Sequence, residues 1–398
     1  PPHPAILRAA TIGPLCGGMM ENPRIVRIEQ GTLEGTRPRH AGSNARLGDH
    51  GLVVRVPIVR LTTEDGASGF GRSRATRDEL RALLGDRLAD AFAPGRGASA
   101  RWLACEYPLW DLVGRREGRP VYARAADITG TPPPQPYRAR CYDTSLYFDD
   151  LHLETEEEAA ALIAAEAREG YARGHRAFKL KVGRGARHLP LDVGTRRDIA
   201  IIRAVRAAVG PTPPIMLDAN NGYNLNIAKQ VLRETADCGI LWLEEAFHED
   251  PVLYRDLRDW LAAEGLPIWI ADGEGDASRR LLDWAREGIV DVVQYDIFSH
   301  GFTPWLATGR QLDEWGARSA PHHYGAHYGN FAACHLAGAI EGFTFVEWDE
   351  VATPGLDTGG YTIEDGRVAV PATPGFGLGL DDAIFRGAVA ANGCDLAL

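Results

Sequence analysis

The chain has 398 residues, more than one ordinary domain holds, so either one large barrel with a smaller companion or two mid-sized domains would account for it. Hydrophobic residues make up 45% and charged residues 24%, which excludes a disordered chain, and no apolar run approaches the roughly 20 residues that span a bilayer. The net charge of −11 argues against nucleic acid as the main partner, because phosphate binding needs a basic face; a small anion remains possible where a cation and local Arg or Lys reverse the sign.

Residues 1–22 are set aside as an extension outside the fold. PPHPAILRAATIGPLCGG lacks the basic, apolar and cleavage pattern of a signal peptide, and MENPRIVRIEQ from Met20 reads as a natural start. Residues 23–138 read as an α+β domain. RIVRIEQGTLEG and GLVVRVPIVRLTTEDG alternate like strands, and TRPRHAGSNARLGDH between them reads as a polar loop. RDELRALLGDRLADAF and ASARWLACEYPLWDLVGRREG then take a helical period. The Pro-rich TGTPPPQPYRA (129–139) is the best boundary. In residues 139–349 short apolar runs alternate with amphipathic helices through about eight units, the rhythm of a closed parallel β/α barrel. Residues 350–398 are loop-rich, carry a short hairpin, TIEDGRVAV, and are expected to fold back onto the first domain. The six cysteines, at 16, 105, 141, 238, 334 and 394, form no CxxC pair and suit a reduced, cytoplasmic protein.

Polar residues stand at the C-terminal ends of the barrel runs, the face where such barrels place their chemistry: Lys179 and Lys181 in AFKLKV, Asp218 ending IMLD, and Glu244 ending LWLE. Glu274 follows PIWIADG, Asp296 ends VVQYD, His322 follows RSAP, and Glu347 ends FTFVE. Asp218, Glu244 and Glu274 would repel one another without a cation, and an oxygen-only set suits Mg²⁺. Asp272 and Asp276 flank Glu274, so a shift of register would change the third ligand. Lys179 and Lys181 share one side of a strand, where two ammoniums and a metal are expected to depress each other's pKa and make one a base. Asp296 can orient His322 as a second acid/base from the adjacent strand. Counting back from the following helix favours His327 instead, and a cluster of His322, His323 and His327 would read as a transition-metal site. Surface acids, an edge strand with alternating lysines and a core histidine are the plain readings of the same residues.

Together and in order, CEYPLWDLVGRREGRPVY (105–122), KLK, DANNGYN, LEEAF, the GE of ADGEG and GRVAVPATPGFGLGLD resemble the mandelate racemase branch of the enolase superfamily. The resemblance implies a modified TIM barrel of (β/α)7β type with an N-terminal α+β capping domain completed by the C-terminal tail. It implies Asp218, Glu244 and Glu274 as Mg²⁺ ligands, Lys181 as the base on one face and Lys179 as a neutralising charge. It implies Asp296 with His322 on the other face, Glu347 as a protonated donor to the substrate carboxylate, and Asn220 as a substrate or supporting contact. The chain departs from the family at Glu244-Glu245-Ala246, in the insertion GRGARHLPLDVGTRRD and in a longer segment after His322.

Abstraction of the α-proton of a carboxylate through an enediolate, followed by dehydration of a sugar acid to a 2-keto-3-deoxy acid, is the expected reaction. A racemase or epimerase of a 2-hydroxy acid is the alternative, and a non-catalytic ligand-binding barrel is the reading from another class. Superfamily members that use a second lysine on the sixth strand are disfavoured by VVQYDIF. Specificity is expected from TRPRHAGSNAR (36–46) and GFGRSRAT (69–76), with Arg37, Arg39 and His40 as candidates for a second carboxylate or sugar hydroxyls. A homo-oligomer without nucleic-acid or membrane partners is expected.

Overall fold

The computed structural model describes residues 22–275 and 277–398, so nearly all of the expected N-terminal extension, and Asp276, lie outside the described residues. Three antiparallel strands open the chain: β1 (Ile25–Ala41), β2 (Gly51–Thr63) and β3 (Ser68–Arg72). Strand β1 is longer than its polar text suggested. Pairing with β2 reaches Ala41↔Gly51, so TRPRHA is strand and only the tip beyond it is loop. The helix Glu106–Glu117 lies across β3, burying Leu109, Trp110, Leu112 and Val113. Glycines on β3 let it approach: a Cβ at Gly71 would stand 2.6 Å from the Pro108 nitrogen.

Eight parallel strands follow: β4 (Arg138–Leu146), β5 (Phe178–Lys181), β6 (Ile215–Asp218), β7 (Ile240–Glu244), β8 (Trp269–Asp272), β9 (Val292–Val293), β10 (Arg318–Ser319) and β11 (Val346–Trp348). Each pairs with the next up to β10, β11 pairs with β4, and a parallel bridge between Ser319 and Phe343 closes the ring. A helix follows each of the first seven strands and none directly follows β11, giving (β/α)7β. Sequence marks several helix starts: Thr155 and Glu158 form a capping box, and Asp250 caps the helix that Pro251 begins. Inside the ring, Tyr142, Ala177, Met216, Trp242, Ala271, Val292, Ala320 and Phe345 form an apolar cluster, one residue from each strand or its edge. This plug is the floor on which the polar strand ends stand.

The tail divides between the two parts. Its hairpin, β12 (Thr362–Glu364) and β13 (Arg367–Ala369), pairs antiparallel with β4 and so extends the barrel, not the first domain as the tail was expected to do. The reason is an edge: Arg138–Arg140 start β4 ahead of its partners, and Val368 is fully buried against them. The helix Asp382–Asn392 and β14 (Cys394–Ala397) do return to the cap, β14 pairing with β1. Two buried carboxylates fasten the parts. Asp111 accepts from Phe70 N of β3 and Phe376 N of the tail, both at 2.9 Å. Glu106 accepts from Phe302 N and Thr303 N, the first turn of the barrel helix Phe302–Trp315.

The insertion after β5 is held by charge. Arg184 is fully buried and bonds Asp150 (2.6 Å) and Asp198 (2.8 Å), themselves fully buried. Arg184→Ala would leave Asp198 without its cation and Asp150 with only the more distant Arg197 (3.6 Å), and urea unfolding is expected to report a loss of about 3–5 kcal/mol. An unchanged midpoint would show that other contacts hold the insertion.

Candidate active site

Barrel register brings the acids together. Lys181 of β5 stands beside Asp218 of β6, and Asp218 beside Glu244 of β7. Glu274 lies two residues beyond β8, and its carboxylate joins the other two, one oxygen from each lying within 4.8 Å of the others. Asp272, the alternative third acid, turns away to accept the Tyr254 hydroxyl and Gly273 N. Asn220 and Glu245 adopt left-handed backbone, φ +42° and +43°, a strain of order 1 kcal/mol each. That turn lets Asn220 Nδ2 donate to both Glu245 (3.1 Å) and Glu274 (3.2 Å).

Both lysines are buried among these acids. Lys179 Nζ is 2.8 Å from Glu244, 3.1 Å from Glu347 and 3.4 Å from Asp218, and Lys181 Nζ pairs with Asp218. Burial opposes their charge, but the carboxylates outweigh both burial and lysine–lysine repulsion, so both are raised. The two lysines do oppose each other's charge, but each ammonium stands closer to an acid than that like charge can offset. Burial and Asp218 together push Glu244 up to about 8.

The donor set fits a hard divalent cation. Its three carboxylates converge on one point, its donors are all oxygen, and Glu274 Oε2 is buried with no hydrogen-bond partner among the described residues. Magnesium is the ion that this chemistry favours.

Of the three histidines, only His322 borders the same cavity, of about 350 Å³, as Lys181, Asn220 and Glu274. Its Nδ1 donates to Asp296 Oδ2 at 3.1 Å, and Nε2 lies 3.5 Å from Glu274. Burial disfavours the imidazolium, but Glu274 and Asp296 more than offset it and push the ring up to about 10. Burial likewise opposes a charge on Asp296, yet the His322 bond and two backbone N–H groups hold it down at about 2. His323 is fully buried in the fold and pushed down to about 4 by burial. His327 sits 2.8 Å from Thr353 Oγ1 in a different cleft, and burial lowers it to about 3. The three rings thus do not gather into a transition-metal site.

Glu347, expected as a donor to the substrate carboxylate when protonated, stands among donors. Its carboxylate accepts from His323 N (2.8 Å), Tyr324 N (3.0 Å) and Thr144 Oγ1 (2.8 Å) and faces Lys179. Burial alone would raise its pKa; Lys179, the histidines and these donors hold it well below the usual range. Three hydrogen-bond donors and the Lys179 ammonium favour the anion in this arrangement.

The cap-loop candidates also lie elsewhere. Arg37 is locked in a bidentate pair with Asp349 (3.0 and 2.9 Å) over the Tyr324 ring. Arg39 donates to Ser145 O and pairs with Glu166, and His40 pairs with Asp49. Arg39 and His40 border a separate cleft. Because β1 runs on to Ala41, its alternation aims Arg37 and Arg39 at acids of the barrel rim. The tip beyond it supplies Asn44, Arg46 and His50 to the cavity instead. Tyr147 and Tyr324, stacked at 4.7 Å, complete the wall, with Lys181 Nζ 5.2 Å from the Tyr147 centroid. Their signal in the sequence was position alone: one follows β4, the other follows the histidine pair.

Calorimetry is expected to find one Mg²⁺ per chain, with affinity falling about 100-fold in Glu274→Gln while circular dichroism stays unchanged. Undiminished binding would remove Glu274 from the ligand set. Asp296→Asn should lower the pKa of His322, read from its imidazole resonances, because the substitution removes an anion that holds the ring's proton.

Residues 162–384 match the family described as Enolase C-terminal domain-like. Galacturonate dehydratase from Geobacillus sp. is 46% identical, with a TM-score of 0.90 over 95% of this chain and all of that one. A mandelate racemase/muconate lactonizing protein from Geobacillus sp. Y412MC10, complexed with magnesium and tartrate, is also 46% identical, with a TM-score of 0.91 over 96% and 99% of the two chains. Arabinonate dehydratase from Saccharolobus solfataricus is 26% identical over 375 residues, 85% of this chain and 91% of that protein. With more than half of its length matched and its barrel closed around the acid triad, the chain belongs to the enolase superfamily, in its mandelate racemase-like branch.

Proposed function

We propose that this chain is a magnesium-dependent dehydratase of a sugar acid, with a hexuronate such as D-galacturonate as its first candidate substrate. The observation that carries the reading is one cavity lined by both Lys181 and the Asp296-paired His322, beside the Asp218, Glu244 and Glu274 cluster. The relative of 46% identity was solved with D-galacturonate and 5-keto-4-deoxy-D-galacturonate, which supports the substrate class.

In this reading Lys181 Nζ takes the proton from the carbon next to the substrate carboxylate. Lys179, held by Glu244 and Glu347, keeps positive charge beside the carboxylate as negative charge builds on it. His322 gives its proton to the departing β-hydroxyl, and Asp296 holds the ring in place for that transfer. The enol left behind tautomerises to the keto acid, for a net loss of one water. Asn220 steadies Glu274, while Asn44, Arg46 and His50 face the hydroxylated end of the sugar. Arg37, Arg39 and His40 support the loop from outside the cavity. Mg²⁺ on Asp218, Glu244 and Glu274 would neutralise them, ease Lys181 toward a usable base and stabilise charge on the substrate carboxylate. Cytoplasmic residence and a homo-oligomeric state complete the reading; the five described cysteines are free, which suits a reducing compartment.

Two groups on one cavity also suit an epimerase, in which His322 would return a proton to the opposite face. D-galacturonate with Mg²⁺ is expected to yield a keto acid, scored against a panel of acid sugars. Lys181→Ala and His322→Ala should each lower kcat at least about 100-fold, while His327→Ala keeps it. In deuterated water, an inverted centre carrying deuterium and no keto acid would replace dehydration with epimerisation. If His327→Ala is the inactive variant, His322 loses its role.

A further inference from the structure

GFGRSRAT (69–76) does not border the cavity of the active site; its arginines face another, of about 300 Å³, at the seam between cap and barrel. Four arginines among the described residues are buried: Arg37, Arg72, Arg184 and Arg197. Arg37 pairs with Asp349, Arg184 with Asp150 and Asp198, and Arg197 with Asp150. Arg72, only 4% exposed, has no carboxylate within ion-pair distance among the described residues, and its Nε has no hydrogen-bond partner.

A guanidinium taken out of water needs a counter-charge or a full set of acceptors. The Phe298 ring covers one face of Arg72, with the guanidinium carbon 3.7 Å from the centroid, but a ring face accepts none of the in-plane N–H groups. Arg72 borders the cavity, and none of its N–H groups has a hydrogen-bond partner among the described residues. Exposed Arg74 borders the same space, as do Ser73 and Ser299. The acid on its wall, Glu79, is engaged elsewhere: its carboxylate accepts from Thr76 N and Oγ1 in a helix cap. Burial and Arg74 together lower Arg72 to about 10, a push that Asp296, beyond ion-pair reach, offsets only in part.

We propose that Arg72 and Arg74 form a binding site for a small oxyanion, a phosphate or a carboxylate, separate from the catalytic cavity. Two guanidinium forks match either group, and the anion supplies the counter-charge that the fold leaves out. The site backs onto catalysis. Phe298 and Ser299 on its wall are the residues whose N–H groups hold Asp296 Oδ1, the carboxylate that orients His322. The inference does not depend on the reaction assigned to that histidine.

The test uses the full chain saturated with Mg²⁺, and the comparison with Arg72→Gln separates this site from any anion held at the metal. Thermal melts and calorimetry are run with inorganic phosphate and with acetate, against chloride at equal ionic strength. Phosphate or acetate, or both, should raise Tm over the chloride control and bind one per chain; the arm that responds identifies the oxyanion. Arg72→Gln should abolish the response, and Arg74→Gln should weaken binding at least about 10-fold, the worth of one charge-assisted contact. Arg72→Gln should itself melt no lower than the parent without added anion, since it removes an unpaired buried charge. No response to either anion at millimolar concentration, or an equal response in Arg72→Gln, would overturn the site.

Discussion

Three carboxylates gathered at one end of a barrel are unstable together unless cations sit among them. The rest of the structure answers that constraint. Parallel register sets Asp218 beside Glu244, and the turn after β8 delivers Glu274 to the same point. Lys179 and Lys181 enter from β5 because a period of two puts both ammoniums on the inner side. Beneath them the apolar plug removes water, and Trp242 turns its Nε1 upward to Glu244 at 3.1 Å. A low-dielectric floor strengthens every charge above it, so the balance of acids and bases decides the stability of the mouth as well as its chemistry.

Much of this is legible in the sequence. Acids closing successive apolar runs, and the Lys-x-Lys of β5, follow from strand periodicity and from the common end at which parallel strands finish. What escaped depended on partners distant in sequence. Glu347 looked like a donor because nothing in FTFVEW shows that His323 N, Tyr324 N and Thr144 will converge on it. The polar text after Glu34 hid a strand, since Arg37 and Arg39 meet their acids only across the cap–barrel seam. Three histidines within six residues differ in what faces them, and that is decided by Asp296, which caps the short helix after β9, and by Thr353 on the tail. The tail hairpin was visible as a hairpin, but the free edge of β4 that receives it was not.

Cap and barrel are joined by buried charge at several points. Glu106 reaches from a cap helix to the start of a barrel helix, and Asp111 ties β3 to the tail. Such contacts are directional. They fix the angle at which the cap meets the barrel mouth and therefore where the hairpin tip falls. Apolar packing alone, as under the helix Glu106–Glu117, tolerates small sliding that a bidentate bond does not.

The Arg37–Asp349 pair gives that arrangement a longer-term meaning. Arg37 lies on the strand leading into the hairpin tip, and Asp349 lies two residues beyond Glu347 at the end of the last barrel strand. Both partners are almost wholly buried, so lifting the strand would leave an uncompensated anion beside the acid cluster. The strand is thus riveted, while Arg46 and His50 of the tip border the cavity outside that pair and Asn44 holds the tip's own backbone. Descendants of such a chain can exchange tip residues and acquire new substrates without disturbing the charges that carry out the reaction.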